Sequence, residues 1–146
     1  MPSTFLRPTL AALACTVAIA LVGPAMAAMV NLKADLKASN EVPPGAGSGK
    51  GSVSATFDTA SKKLSWKGSY SGLTGPATAA HFHTGEAGKN GGVAVPIFAG
   101  AAAKTPFEGS ATLTDAQSSD LMAGKFYVNI HTAAHKAGEI RGQLLK

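Results

Sequence analysis

Four side chains in this sequence can offer a neutral imidazole nitrogen to a transition metal: His81, His83, His131 and His135. Two of them stand two positions apart in Ala79-Ala80-His81-Phe82-His83-Thr84-Gly85. In an extended strand alternate side chains share a face, so His81 and His83 point one way and Phe82 the other. Such a pair presents two ring nitrogens to one ion with no rearrangement of the backbone. Imidazole is the commonest side-chain ligand for zinc and copper, and it binds through a neutral ring nitrogen. A third donor must then come from another strand, and His131 ends a later segment of strand character. His135 follows in a loop beside Lys136 and reads either as a fourth donor or as a solvated histidine. The bland alternative for the whole set is four half-exposed surface histidines.

Other chemistries find little support. The single cysteine, Cys15, lies in the leader discussed below, and no Gly-x-Ser-x-Gly occurs. Ser, His and Asp are present without a spacing that singles out a triad. The glycine-rich loop 85–92 follows a strand but opens no helix, so it is no phosphate cradle. An enzyme with organic chemistry is therefore a distant reading.

The elements that must position the histidines are read from alternation. Val30, Leu32, Ala34, Leu36 and Ala38 alternate with polar residues in a half-buried strand that ends before Pro43-Pro44. Val53, Ala55 and Phe57 predict a second strand, and Leu64, Trp66, Gly68 and Tyr70 a third, across a turn at 58–63. The first histidine pair rides on a strand over 77–84. Val93–Phe98 carries Pro96 and reads as an edge. Phe107, Gly109, Ala111 and Leu113 alternate next. Thr114-Asp115-Ala116-Gln117 is a capping-box pattern that opens a short helix, closed by Gly124. Phe126, Val128 and Ile130 then alternate with Tyr127, Asn129 and His131, and a loop over 132–138 leads to a last strand with Ile140 and Leu144 inward. The expected fold is all-β: an antiparallel Greek-key sandwich or barrel of about seven to eight strands with one short helix near 115–123.

The N-terminus reads as an address. Arg7 precedes an apolar run over 10–22, Gly23-Pro24 breaks it, and Ala25-Met26-Ala27 supplies an A-x-A site. Residues 1–27 are thus expected to be a secretory signal peptide cleaved after Ala27. The run is too short for a membrane span of about 20 residues. The remaining residues, 28–146, suffice for one domain, expected to be periplasmic or secreted. That domain lacks cysteine, so its stability comes from packing, with or without a bound ion. Arg7 is the only basic residue of the 13 that the leader removes, leaving 12 against 8 acidic ones. The positive charges are scattered, which argues against a nucleic-acid partner.

With the apolar set of each strand facing the core, His81, His83, Asn129, His131, Glu139, Arg141 and Gln143 face away from it. The last two strands are expected to be neighbours across their short loop. If the 77–84 strand joins them, three histidines gather on one polar face. Asn129, Glu139 or a backbone carbonyl would hold the distal ring nitrogens as outer partners. Glu139 and Arg141 are expected to fix the final strand as an ion pair or hydrogen-bonding group.

Several blocks carry a family likeness. Leu36–Pro44, then Ala79-Ala80-His81-Phe82-His83 with Gly88–Val93, then Leu121–Gly124, Tyr127-Val128-Asn129-Ile130-His131-Thr132 and Gly138-Glu139-Ile140-Arg141-Gly142-Gln143-Leu144 resemble the CHRD (chordin-type) domain. The resemblance spans nearly all of 28–146 and implies a secreted β-sandwich domain, without implying an activity. His81-Phe82-His83 with His131 is also similar to three of the copper ligands of Cu,Zn superoxide dismutases. The bridging histidine, the zinc-binding aspartate and the disulfide cysteines of that family are missing. This likeness implies a mononuclear copper-type site and not dismutase activity. Two functions are therefore expected to compete. One is a protein binding one copper ion, zinc less favoured, through His81, His83 and His131 with His135 as a fourth donor. The other is a metal-free interaction module that binds a protein or surface ligand through its loops.

Overall fold

The computed structural model describes residues 26–100 and 103–146. All but the last two residues of the expected leader, 1–27, lie outside them. The alternating segments become strands: β1 (Met29–Lys37), β2 (Lys50–Asp58), β3 (Lys63–Ser71), β4 (Ala77–Thr84), β5 (Val93–Ala99), β6 (Phe107–Thr112), β7 (Phe126–Thr132) and β8 (Ile140–Gln143). A 3-10 turn spans Ala38–Asn40 and one helix, α1, spans Asp115–Met122.

Period-two patterning explains β1 directly. Leu32, Ala34 and Leu36 are buried while Asn31, Lys33 and Asp35 are exposed. β1 and β2 pair antiparallel from Met29↔Asp58 to Lys37↔Lys50, and β2 and β3 pair from Lys50↔Ser71 to Asp58↔Lys63. The expected capping box is formed. Thr114 Oγ1 accepts from the Gln117 backbone N–H, and Gln117 Oε1 accepts from that of Thr114. Gln117 Nε2 also donates to the Ala94 carbonyl, tying α1 to β5.

All eight strands form one antiparallel sheet in the order β5-β4-β7-β8-β1-β2-β3-β6. The sheet curls into a nearly closed barrel. Its two edges, β5 and β6, meet through side chains: the Phe98 and Phe107 rings lie 5.3 Å apart, edge to face. Tyr70 packs beside both, 6.2 Å from each ring centre. Inside the barrel Leu64, Phe82, Phe126, Val128, Ile130, Ile140 and Leu144 are fully buried. Phe82 thus occupies the inward position that strand phase predicted, with its ring 5.0 Å from that of Trp66.

The central order β4-β7-β8 positions the site. β4 and β7 pair through Ala79↔His131, His81↔Asn129 and His83↔Tyr127. β7 and β8 pair through Asn129↔Arg141 and Tyr127↔Gln143. On its other side β4 meets β5 with register shifts flanking His81 and His83, and Pro96 stands opposite His81. The outward face of these three strands differs from a plain solvated face. Asn129, Glu139 and Arg141 point away from the apolar core, yet each is at most 3 % exposed. Their hydrogen bonds, given below, run to the chain segments at 41, 74 and 86–90, which cover the sheet and give it a second, polar interior.

Candidate metal centre

The first step is the adjacency of β4 and β7. It places the imidazoles of His81, His83 and His131 on one outer face, with ring centres 5.5 Å (His81–His83), 5.1 Å (His81–His131) and 6.1 Å (His83–His131) apart. One nitrogen from each ring lies within 4.8 Å of the others. His81 Nδ1 and His131 Nε2 are already 3.2 Å apart. Metal–nitrogen bonds of about 2.0–2.1 Å set tetrahedral nitrogen–nitrogen edges of about 3.3 Å, so this pair is at coordinating separation and the third nitrogen needs a small inward movement.

Backbone carbonyls fix two of the rings. His83 Nδ1 is 3.1 Å from the Gly91 carbonyl oxygen, and His131 Nδ1 is 3.0 Å from that of Lys136. A carbonyl only accepts, so in each neutral ring Nδ1 carries the proton and Nε2 keeps the lone pair. This is how an outer partner selects the ligating tautomer. His83 Nε2 is buried without a hydrogen-bond partner among the described residues, an arrangement that costs about 1–3 kcal/mol if nothing fills it. With the lone pair of His131 on Nε2, His81 Nδ1 must donate to it in the absence of an ion. Moving the His81 proton to its own Nε2 turns that hydrogen bond into two lone pairs on one point.

The electrostatics favour neutral rings. The pKa of His81 is lowered by burial. That of His83 is lowered, first by burial, with smaller contributions from the His81 and Arg141 charges against an opposing bond to Gly91. That of His131 is lowered, again first by burial, against an opposing bond to Lys136 and with help from His81 and His83. All three rings are therefore unprotonated and ready to donate at neutral pH.

The surrounding polar groups each do separate work. Glu139 accepts from the Thr74 backbone N–H at 2.6 Å, from Thr74 Oγ1 at 2.8 Å and from Thr132 Oγ1 at 2.6 Å. Burial alone would raise its pKa, but these bonds outweigh it and hold the carboxyl below its usual range. Arg141 donates to Asn90 Oδ1 at 3.0 Å, to the Lys89 carbonyl at 2.6 Å and to that of Glu86 at 3.4 Å. Of the two arrangements expected for Glu139 and Arg141, an ion pair or a hydrogen-bonding group, the bonds are of the second kind and run to different segments. Glu139 binds the 74 turn and Thr132, while Arg141 holds the 86–90 loop. Asn129 donates from Nδ2 to Glu41 Oε2 at 3.3 Å. His135 is exposed, and its backbone N–H donates to Thr132 Oγ1. The group of three brought together contains His81, His83 and His131, and His135 stays on the loop beside it.

Two further contributors were not singled out from sequence. Tyr127 stacks on His83, ring centres 4.9 Å apart and planes at 9°, while the Arg141 guanidinium carbon lies 3.5 Å from the Tyr127 ring centre. Alternation had placed Tyr127 on the same face as Asn129 and His131, which was the available signal. Gly91 accepts from His83, and its N–H donates to the Tyr127 hydroxyl at 3.0 Å. Only the folded loop reveals that role.

These features define a class: an antiparallel β-barrel with a half-buried three-imidazole cluster on a sheet face partly covered by loops. Residues 32–144 match the family model of the CHRD domain, and the chain belongs to that family. CHRD domains are extracellular modules. No curated protein and no solved structure matches the chain significantly.

Proposed function

We propose that this CHRD domain is exported to the periplasm or beyond, and binds one transition-metal ion, copper ahead of zinc, through His81, His83 and His131. The carrying observation is the convergence of three ring nitrogens within 4.8 Å. Two of the rings are set by backbone carbonyls so that Nε2 is the donor. Three neutral nitrogens suit copper or zinc better than hard oxygen-seeking cations. His135 is tested as a fourth donor by its own alanine variant. Asn129, Glu139 and Arg141 hold the segments at 41, 74 and 86–90 around the cluster, and no catalytic residue is assigned.

Titration calorimetry and Cu(II) electron paramagnetic resonance on residues 28–146 test the reading. One ion per chain with nitrogen hyperfine structure is expected. His81→Ala, His83→Ala and His131→Ala should each weaken binding at least about 100-fold, more than the typical loss of an outer partner. Wild-type affinity in all three variants would refute the site. Export is tested by sequencing the N-terminus of the protein recovered outside the cytoplasm, expected to begin at Ala28. A second reading, a metal-free interaction module, draws on the cavity of about 590 Å³ where β5 meets β6, lined by Ile97, Phe98, Pro106 and Phe107 with Lys67 and Lys104. Protein whose melting temperature ignores both copper and zinc would favour it.

A further inference from the structure

Behind the His83 ring stands a buried positive charge. β7 lies between β4 and β8 in the sheet, so His83 and Arg141 approach Tyr127 from opposite sides. The result is a three-layer stack of imidazole, phenol and guanidinium, with spacings of 4.9 Å and 3.5 Å. Those spacings place the guanidinium within about 9 Å of the imidazole centre, a range over which a charge in a protein interior still acts. Arg141 is 2 % exposed and Tyr127 equally so, which leaves little water between them to screen it. The guanidinium's hydrogen-bond acceptors among the described residues are uncharged, the Asn90 amide oxygen and two loop carbonyls. The Glu41 carboxyl that feels its charge is pushed up to about 7 by burial, so it offsets the guanidinium only in part at neutral pH. The ligand set is itself uncharged, three imidazoles with no carboxylate or thiolate.

An ion in this setting carries its full charge opposite a cation that is at most partly neutralised. Raising its charge by one is then disfavoured, while a lower charge is tolerated. We propose that Arg141, acting through the Tyr127 ring, sets the charge preference of the bound metal, so that the site holds copper in the cuprous state more strongly relative to the cupric state than three imidazoles alone would. Arg141 is a positioning and tuning residue here and touches no ion. The inference rests on the copper reading above and adds to it which redox state the site selects. Its physical lever is a neighbouring fixed charge, one of the recognised ways a protein tunes a metal.

The test measures Cu(I) affinity by anaerobic competition with a colorimetric cuprous chelator, and Cu(II) affinity by competition with glycine. It is run on the wild-type mature chain, on Arg141→Gln and on Asn90→Asp. Asn90 is exposed, and its Oδ1 already accepts from Arg141 Nη1 at 3.0 Å. Aspartate there sets a carboxylate against the guanidinium without emptying a buried position, so the experiment survives a failure of Arg141→Gln to fold. Both variants should shift the Cu(I)/Cu(II) affinity ratio toward Cu(II) by about tenfold, the effect of a unit charge near 10 Å at an effective dielectric of about 20. Arg141→Lys, which keeps the charge, should stay nearer the wild-type ratio. Folded Asn90→Asp protein that binds both states with the wild-type ratio overturns the inference while leaving the metal site standing. Wild-type protein that takes up neither state overturns the proposed function itself.

Discussion

At the scale of single residues, the distinctive investment is polar. Glu41 is buried, with Oε1 unpartnered among the described residues and Oε2 accepting from Asn129. Burial pushes its pKa up from 4.5 to about 7, against smaller lowering effects of the Arg141 charge and the Asn129 bond. A carboxyl with a raised folded-state pKa binds more protons folded than unfolded between those two values. Its contribution to stability is therefore present below about pH 4.5 and is lost as pH rises through about 7. Glu41→Gln removes that dependence. Its melting temperature should match wild type near pH 4.5 and exceed it by several degrees at pH 8, since about 1 kcal/mol shifts Tm by roughly 4–8 °C in a domain of ~100 residues. A difference that stays flat between those pH values would refute this account of Glu41.

At the scale of elements, the loop between β4 and β5 matters more to the site than its glycine-rich composition suggests. It is read as backbone: Arg141 holds the Glu86 and Lys89 carbonyls, Gln143 Nε2 donates to that of Gly85, and His83 and Tyr127 bind Gly91. A Cβ at Gly91 would run into the Thr84 carbonyl, so the close return of the loop onto its own strand requires glycine. Gly91→Ala should displace the loop and remove the acceptor that orients His83. Metal affinity should fall about 10–100-fold, as when an outer partner of a ligand is lost. Far-ultraviolet circular dichroism should stay close to wild type, because the buried core lies on the other face of the sheet. Wild-type affinity in this variant would show that His83 does not need its Gly91 bond.

At the scale of the whole molecule, the ligands come from two strands that are distant in sequence and adjacent in the sheet. An ion shared by His81, His83 and His131 would cross-link β4 to β7 in the folded state alone. Binding then adds to stability by mass action, about 2.7 kcal/mol at a free ion concentration 100 times the dissociation constant. The wild-type melting temperature should rise by roughly 10 °C with copper at that level, and by almost nothing in a His81→Ala/His83→Ala/His131→Ala variant. Equal shifts in both would mean that copper stabilises the fold from somewhere else. The barrel tolerates such a site because its core is independent of it: the apolar residues pack on the inner face, and the edges β5 and β6 are joined by Phe98, Phe107 and Tyr70.

Local patterning was enough for the strands, the capped helix and the inward turn of Phe82, because alternation and capping depend on near neighbours. Strand phase also put His81, His83, Tyr127, Asn129, His131 and Arg141 on the outward face, since period two is a property of the strand itself. The family likeness in the 36–44, 79–93 and 127–144 blocks was equally legible. Strand order was not: that β4 lies against β7, bringing His131 to 3.2 Å from His81, is a long-range pairing that no local pattern encodes. Nor could alternation tell that the outward face is buried, because the cover comes from loops whose path depends on the folded sheet. The sequence supplied the imidazoles and the face they share. Tertiary structure alone decided that they converge, that two carbonyls choose their donor nitrogens, and that a buried guanidinium stands behind one of them.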